Sequence, residues 1–133
     1  MNTTLPQAMA DPRAMAGAAL RTFFNIAVAW KLNTEQAMTL LGLTSRSTYF
    51  KWKGDPEGAR ISRDTLERLS YIFGIYKALQ TLLPDAEAAD GWIHRPNTAT
   101  PFQGQPALGR MLSGNVADLY VVRRYLDAQR GWS

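Results

Sequence analysis

At 133 residues, 46% hydrophobic and 20% charged, the chain can hold one ordinary domain or two very small ones, and its composition excludes a disordered protein. The absence of cysteine excludes disulfides, thiolate zinc sites and a cysteine nucleophile, and it fits a reducing, cytoplasmic setting. The formal net charge of +4 is uneven: residues 1–83 carry ten Lys/Arg against six Asp/Glu and residues 84–133 five against five, so a basic front precedes a neutral back and two separate jobs are suggested.

Residues 1–13 read as a flexible N-terminus without the charged-then-apolar order of a signal peptide. No apolar run approaches the length that spans a bilayer, so no membrane partner is expected. The coarse pattern is all helix, since no alternating β-branched run is long enough to be a strand. A first helix over Arg13 to Trp30 places Leu20, Phe23, Phe24, Ala27 and Trp30 on one face. Asn33 caps a second helix, with Gln36 placed to close a capping box, and Gly42 ends it by supplying positive φ.

Thr44 and Ser45 both qualify as cap of a third helix that ends near Lys53. Turn residues Gly54 to Gly58 follow. Ser62 then caps a long fourth helix, with an apolar stripe of Leu66, Leu69, Ile72, Phe73, Tyr76, Leu79 and Leu83 and an end marked by Pro84. Residues 14–84 thus form a first unit and residues 85–133 a second, smaller one. In the second, Ala86 to Ile93 is helical, Arg95 to Pro106 is a loop rich in Pro, Gly and Asn, and Pro106 opens a helix that stops at Gly114. Asn115 caps the last helix, where Val116, Leu119, Val122 and Leu126 line one face and Gly131 marks the end. With the boundary near residue 84, the first unit is expected to stay folded without residues 115–133.

The stretch from Leu41 to Lys53 has an apolar helix end, a Gly turn, a polar cap and a short basic helix, the order of parts in a helix-turn-helix. Tyr49 and Trp52, three apart, share the inward face, which leaves Arg46, Ser47, Phe50, Lys51 and Lys53 pointing more outward. Ser45, Arg46, Ser47, Thr48, Lys51 and Lys53 are then the DNA-binding candidates: Arg bonds guanine bidentately, hydroxyls bond bases or phosphates, and Lys suits phosphates. A plain helical hairpin has the same order of parts and remains the alternative.

Further on, Gly91-Trp92-Ile93-His94-Arg95-Pro96-Asn97, then Pro101 to Leu108, then Met111-Leu112-Ser113-Gly114 resembles the MbcA/ParS/Xre antitoxins. The shared features are an aromatic before a Pro-Asn pair, an aromatic or apolar residue before a Gly, and a Pro-x-x-x-apolar-Leu-x-x-Gly helix. With the helix-turn-helix ahead of it, the resemblance covers roughly residues 14–131 and departs at Ala107 and Gly109. It implies an antitoxin of a type II toxin–antitoxin pair whose cognate toxin is an NAD-consuming RES-domain enzyme. It further implies that the C-terminal region blocks that toxin's active site and that the antitoxin binds its own operator DNA, usually as a homodimer.

The residues themselves offer interface types for such a contact: Trp92, His94, Arg95, Asn97 and Phe102 in the loop region, then Arg123, Arg124, Arg130 and Trp132 toward the end. Trp92 and Phe102 read equally as closing a small second core. The lone histidine, His94, reads as a surface or hydrogen-bonded residue, no carboxylate cluster has metal spacing, and no phosphate loop or nucleophile elbow occurs. Neither an enzyme nor a cofactor is expected. Two other readings stay open: a stand-alone helix-turn-helix regulator whose C-terminal unit only dimerises, and a protein-interaction module with a vestigial helix-turn-helix.

Overall fold

The computed structural model describes residues 12–131, so residues 1–11 of the expected N-terminal segment, together with Trp132, lie outside the described residues. Seven α-helices follow in chain order: α1 Pro12–Ala29, α2 Thr34–Leu41, α3 Arg46–Gly54, α4 Arg63–Leu82, α5 Ala86–Gly91, α6 Ala107–Met111 and α7 Val116–Gln129. Single 3₁₀ turns at Pro56–Gly58 and Trp92–His94 follow α3 and α5. Among the described residues there is no strand, only an isolated bridge between Pro96 and Pro106 that closes the loop.

Local chemistry sets most boundaries. The Asn33 side chain accepts from the Gln36 amide while the Gln36 side chain accepts from the Asn33 amide, so the capping box forms as the spacing predicts. Gly42 takes φ of 77°, and its amide and that of Leu43 satisfy the carbonyls of Thr39 and Met38. Of the two cap candidates for α3, Ser45 caps it, accepting from the Thr48 amide. Ser62 caps α4.

The buried residues form one cluster running from Leu20 in α1 to Leu126 in α7. Leu20, Phe23 and Trp30 are fully enclosed, and Tyr49 and Trp52 turn inward from α3, as their spacing predicts. The fourth helix is the shared spine. Near its start the buried Thr65 hydroxyl donates to the Leu41 carbonyl (2.8 Å), which ties the end of α2 to α4. Farther along, α7 makes its most extensive packing against α4.

Several expectations change. Leu66 is half exposed rather than part of the buried stripe, while Ile75 and Ala78 are fully buried. Because α4 is covered first by α2 and then by α7, its buried face is not one straight 3.6-residue stripe. The helix expected over Ala86 to Ile93 tightens to a 3₁₀ turn after Gly91. The helix expected to reach Gly114 ends at Met111. Asn115 stands at the cap position of α7 but its side chain makes no capping bond. Its backbone amide instead donates to the Ser113 hydroxyl (3.0 Å), which in turn donates to the Asp118 carboxylate in the first turn of α7.

Candidate functional site

The third helix carries one face of the molecule that is inward and aromatic and another that is outward and basic. Tyr49 packs edge-on against Phe24 of α1 (5.7 Å between centroids), and burial pushes its phenol pKa up. With Trp52 it anchors α3 from behind, which leaves Arg46, Ser47, Phe50, Lys51 and Lys53 exposed and Thr48 half-buried. Lys51 and Lys53 have no ion pair among the described residues. They lie in the last turn, where a cation also favours the negative end of the helix dipole.

Two of the six DNA-binding candidates have structural duties. Ser45 is occupied as the cap and shares a hydrogen bond with the Ser47 hydroxyl (3.0 Å). Arg46 is ion-paired to Glu35 of α2, and its guanidinium lies over the Phe50 ring at 5.6 Å. The turn behind α3 is held by an ion pair between Glu57 and Arg21 of α1, whose hydrogen bond draws the Glu57 carboxyl below its usual range. Phe50 faces out with the basic residues, as the inward spacing of Tyr49 and Trp52 predicts. One residue of this surface escaped sequence reasoning: Glu35 meets Arg46 across eleven positions, and an acidic residue in a first turn gave no signal of that pairing.

The C-terminal candidates separate into residues turned inward and residues turned outward. Phe102 is buried, Trp92 is half-buried, and both pack on Tyr125 of α7, edge-on at 5.2 Å and stacked at 6.3 Å. This trio closes the C-terminal part of the core. Asn97 builds the loop: its side chain accepts from the Ala99 amide (2.9 Å), and its carbonyl accepts from the Gly104 amide (2.7 Å). Arg95 folds back to donate to the Ala88 carbonyl (2.8 Å), and Nε2 of His94 bonds the Trp30 carbonyl at the end of α1 (2.7 Å). With Lys31, Glu87 and Asp90, His94 and Arg95 line a polar cleft of about 620 Å³.

On α7, Arg123 lies against Gly74 of α4, donates to the Ser70 carbonyl (3.3 Å) and pairs with Asp127 (3.5 Å). Arg124 is exposed and donates to the Tyr120 hydroxyl (3.1 Å), and Tyr120 is itself 44% exposed. Arg130 is half-buried near the end of the described chain. The start of α7 is held by a network not anticipated from sequence. Asp118 accepts from the Ser113 hydroxyl (2.6 Å) and from Arg110 (2.8 Å), and these bonds hold its carboxyl below the ordinary range.

Among the described residues, no group of His, Cys, Asp or Glu is placed to hold a metal, and no helix is long and apolar enough to cross a membrane. The described residues present two exposed surfaces: the basic helix α3, backed by Tyr49 and Trp52, and a C-terminal surface bearing Arg124 and Tyr120. Comparison with known proteins gives relatives to both parts of the chain. The Antitoxin Xre-like helix-turn-helix domain matches residues 9–74, and the Antitoxin Xre/MbcA/ParS C-terminal toxin-binding domain matches residues 78–131. The uncharacterized protein y4oB of Sinorhizobium fredii is 51% identical over 114 residues, covering 86% of this chain and 85% of its own length.

Proposed function

Because the chain belongs to the Xre/MbcA/ParS antitoxin family, with a helix-turn-helix domain followed by a toxin-binding domain, we propose that it neutralises an NAD-consuming RES-domain toxin by covering the entrance to that enzyme's active site. On the same reading it represses its own operon by binding operator DNA as a homodimer, in the cytoplasm, without a cofactor and without chemistry of its own. The observation that carries the proposal is the presence, in one chain, of the outward basic face of α3 and a C-terminal toxin-binding domain.

The two surfaces divide the work. Tyr49 and Trp52 press α3 outward so that it can lie in a major groove, with Lys51 and Lys53 neutralising phosphates and Arg46 reaching a base. On the toxin side, the exposed Arg124 and Tyr120 offer a cation and an aromatic ring on one helix face, the residue types that anchor interfaces. Arg130, and Trp132 beyond the described residues, extend that contact. Trp92 and Phe102 hold the neighbouring Tyr125 of α7, and Asn97 shapes the loop.

Co-expression with the adjacent gene tests this reading. The neighbour alone should deplete cellular NAD, and the full-length chain should co-purify with it and restore NAD. No NAD depletion and no co-purification would overturn the toxin assignment and leave a stand-alone regulator as the better description.

A further inference from the structure

Phe50 does not fit the helix it stands on. It is 46% exposed, on the face that also presents Arg46, Lys51 and Lys53. Of the other exposed large apolar residues, Met15 and Leu66 line one cleft of about 450 Å³ with Ile61, Tyr120 packs edge-on against Tyr71, and Val28 stands exposed on α1. Phe50 touches the buried Tyr49 edge-on (5.2 Å between centroids) and, on its face, the Arg46 guanidinium at 5.6 Å. That guanidinium is also held by Glu35 through Nη1. It is clamped between a carboxylate and a ring, and Nε and Nη2 have no partner among the described residues.

This geometry suits a particular pair of bases. A guanidinium with two remaining donors bonds guanine O6 and N7, and a phenyl ring in the same groove makes apolar contact with the C5-methyl of thymine. Residues four apart on a helix are about 6 Å apart along its axis, and successive base pairs are about 3.4 Å apart. Two side chains in mutual contact therefore reach neighbouring base pairs. The cationic neighbours Lys51 and Lys53 make an anionic duplex the complementary occupant of this face. We infer that Arg46 and Phe50 act as one reading pair for a guanine and an adjacent thymine, with Phe50 selecting thymine through its methyl group. The inference rests on the DNA-binding reading of α3 given above.

The test uses the full-length chain and a randomised duplex library. After enrichment, each thymine of the selected site is replaced in turn by deoxyuridine, which removes only the methyl. At one thymine beside a guanine, the wild-type protein should lose about fourfold in affinity, the value of one buried methyl-sized group. Phe50→Ala should lose affinity for the thymine site and be indifferent to the same deoxyuridine. A wild-type protein insensitive to every deoxyuridine, or Phe50→Ala with an unchanged deoxyuridine response, overturns the reading pair while leaving DNA binding intact. A library from which no sequence is enriched overturns base reading by α3, and the thymine contact with it, while a protein that also fails to shift any duplex overturns the DNA-binding reading itself.

Discussion

Arg46 and Lys51 occupy the same exposed face of α3 but have different surroundings, and their substitutions should be told apart by salt. Arg46 is oriented by Glu35 and Phe50, whereas Lys51 extends without an ion pair among the described residues. Arg46→Ala should cost about 1–3 kcal/mol at the enriched site and little on unrelated duplexes. Lys51→Ala should weaken both and reduce the salt slope by roughly one unit. Fluorescence titrations across a range of salt concentrations would separate the two, and equal losses on both duplexes for Arg46→Ala would remove its base-reading role. Neither change should impair co-purification with the toxin. A second residue-scale prediction concerns acid. The Ser113 hydroxyl, and then the Arg110 guanidinium, lower the folded-state pKa of Asp118. The stability this brings is complete above the unfolded value, about 4, and is lost as pH falls through the lower folded one. Asp118→Asn should therefore be less stable than wild type at neutral pH and converge on it in acid. Thermal melts that stay parallel down to pH 2 would show that the network contributes nothing.

At the scale of elements, α4 determines what could be read in advance and what could not. Features set within a few residues were legible: the Asn33–Gln36 box, the Gly42 turn, the Ser62 cap, a cap of α3 narrowed to Thr44 or Ser45, and the inward pair Tyr49 and Trp52. Features set by distant packing were not. Leu66 fits the helical stripe of α4 yet is exposed, and Ile75 is fully buried, because α2 and α7 cover different stretches of the same helix. Arg123 reads as an interface residue from its type, but Gly74 leaves room for it to lie on α4 and reach a carbonyl 53 positions away. Likewise His94 meets the Trp30 carbonyl across 64 positions. Among the candidate site residues, the basic types and the outward Phe50 on α3 were evident from composition and spacing, whereas the Glu35 ion pair to Arg46 depends on how α2 lies against α3. The α4–α7 packing makes a quantitative statement possible. Leu119 is fully buried, so Leu119→Ala should destabilise by about 2–5 kcal/mol. Urea unfolding reads this directly; a loss below 1 kcal/mol would mean that α7 contributes little to stability.

For the whole molecule, the question is whether two family domains behave as two folding units. The change in composition near residue 84 suggests a boundary, and with it a first unit able to stand without the last helix. The buried cluster, however, runs unbroken from Leu20 to Leu126, and Arg68 of α4 donates to the Gly114 carbonyl (2.9 Å), crossing that boundary. Removing residues 115–133 strips Leu119, Val122 and Leu126 from the core. At about 1.5–3 kcal/mol for each large apolar side chain, that loss is of the same order as the total of about 5–15 kcal/mol on which a domain of this kind folds. It also exposes the buried face of α4 to water. We therefore expect the intact chain to unfold in one transition, with circular dichroism and tryptophan fluorescence coincident, and the truncated chain to lose most of its helical signal rather than leave a folded helix-turn-helix. On that account, loss of toxin neutralisation in such a truncation would report unfolding as much as a missing contact. Arg124→Ala, on the exposed side of α7, is the variant that should weaken toxin binding while leaving the unfolding transition where it is. Two resolved transitions in the intact chain, or a truncated chain that still melts cooperatively and binds duplex DNA, would show that the domains fold independently.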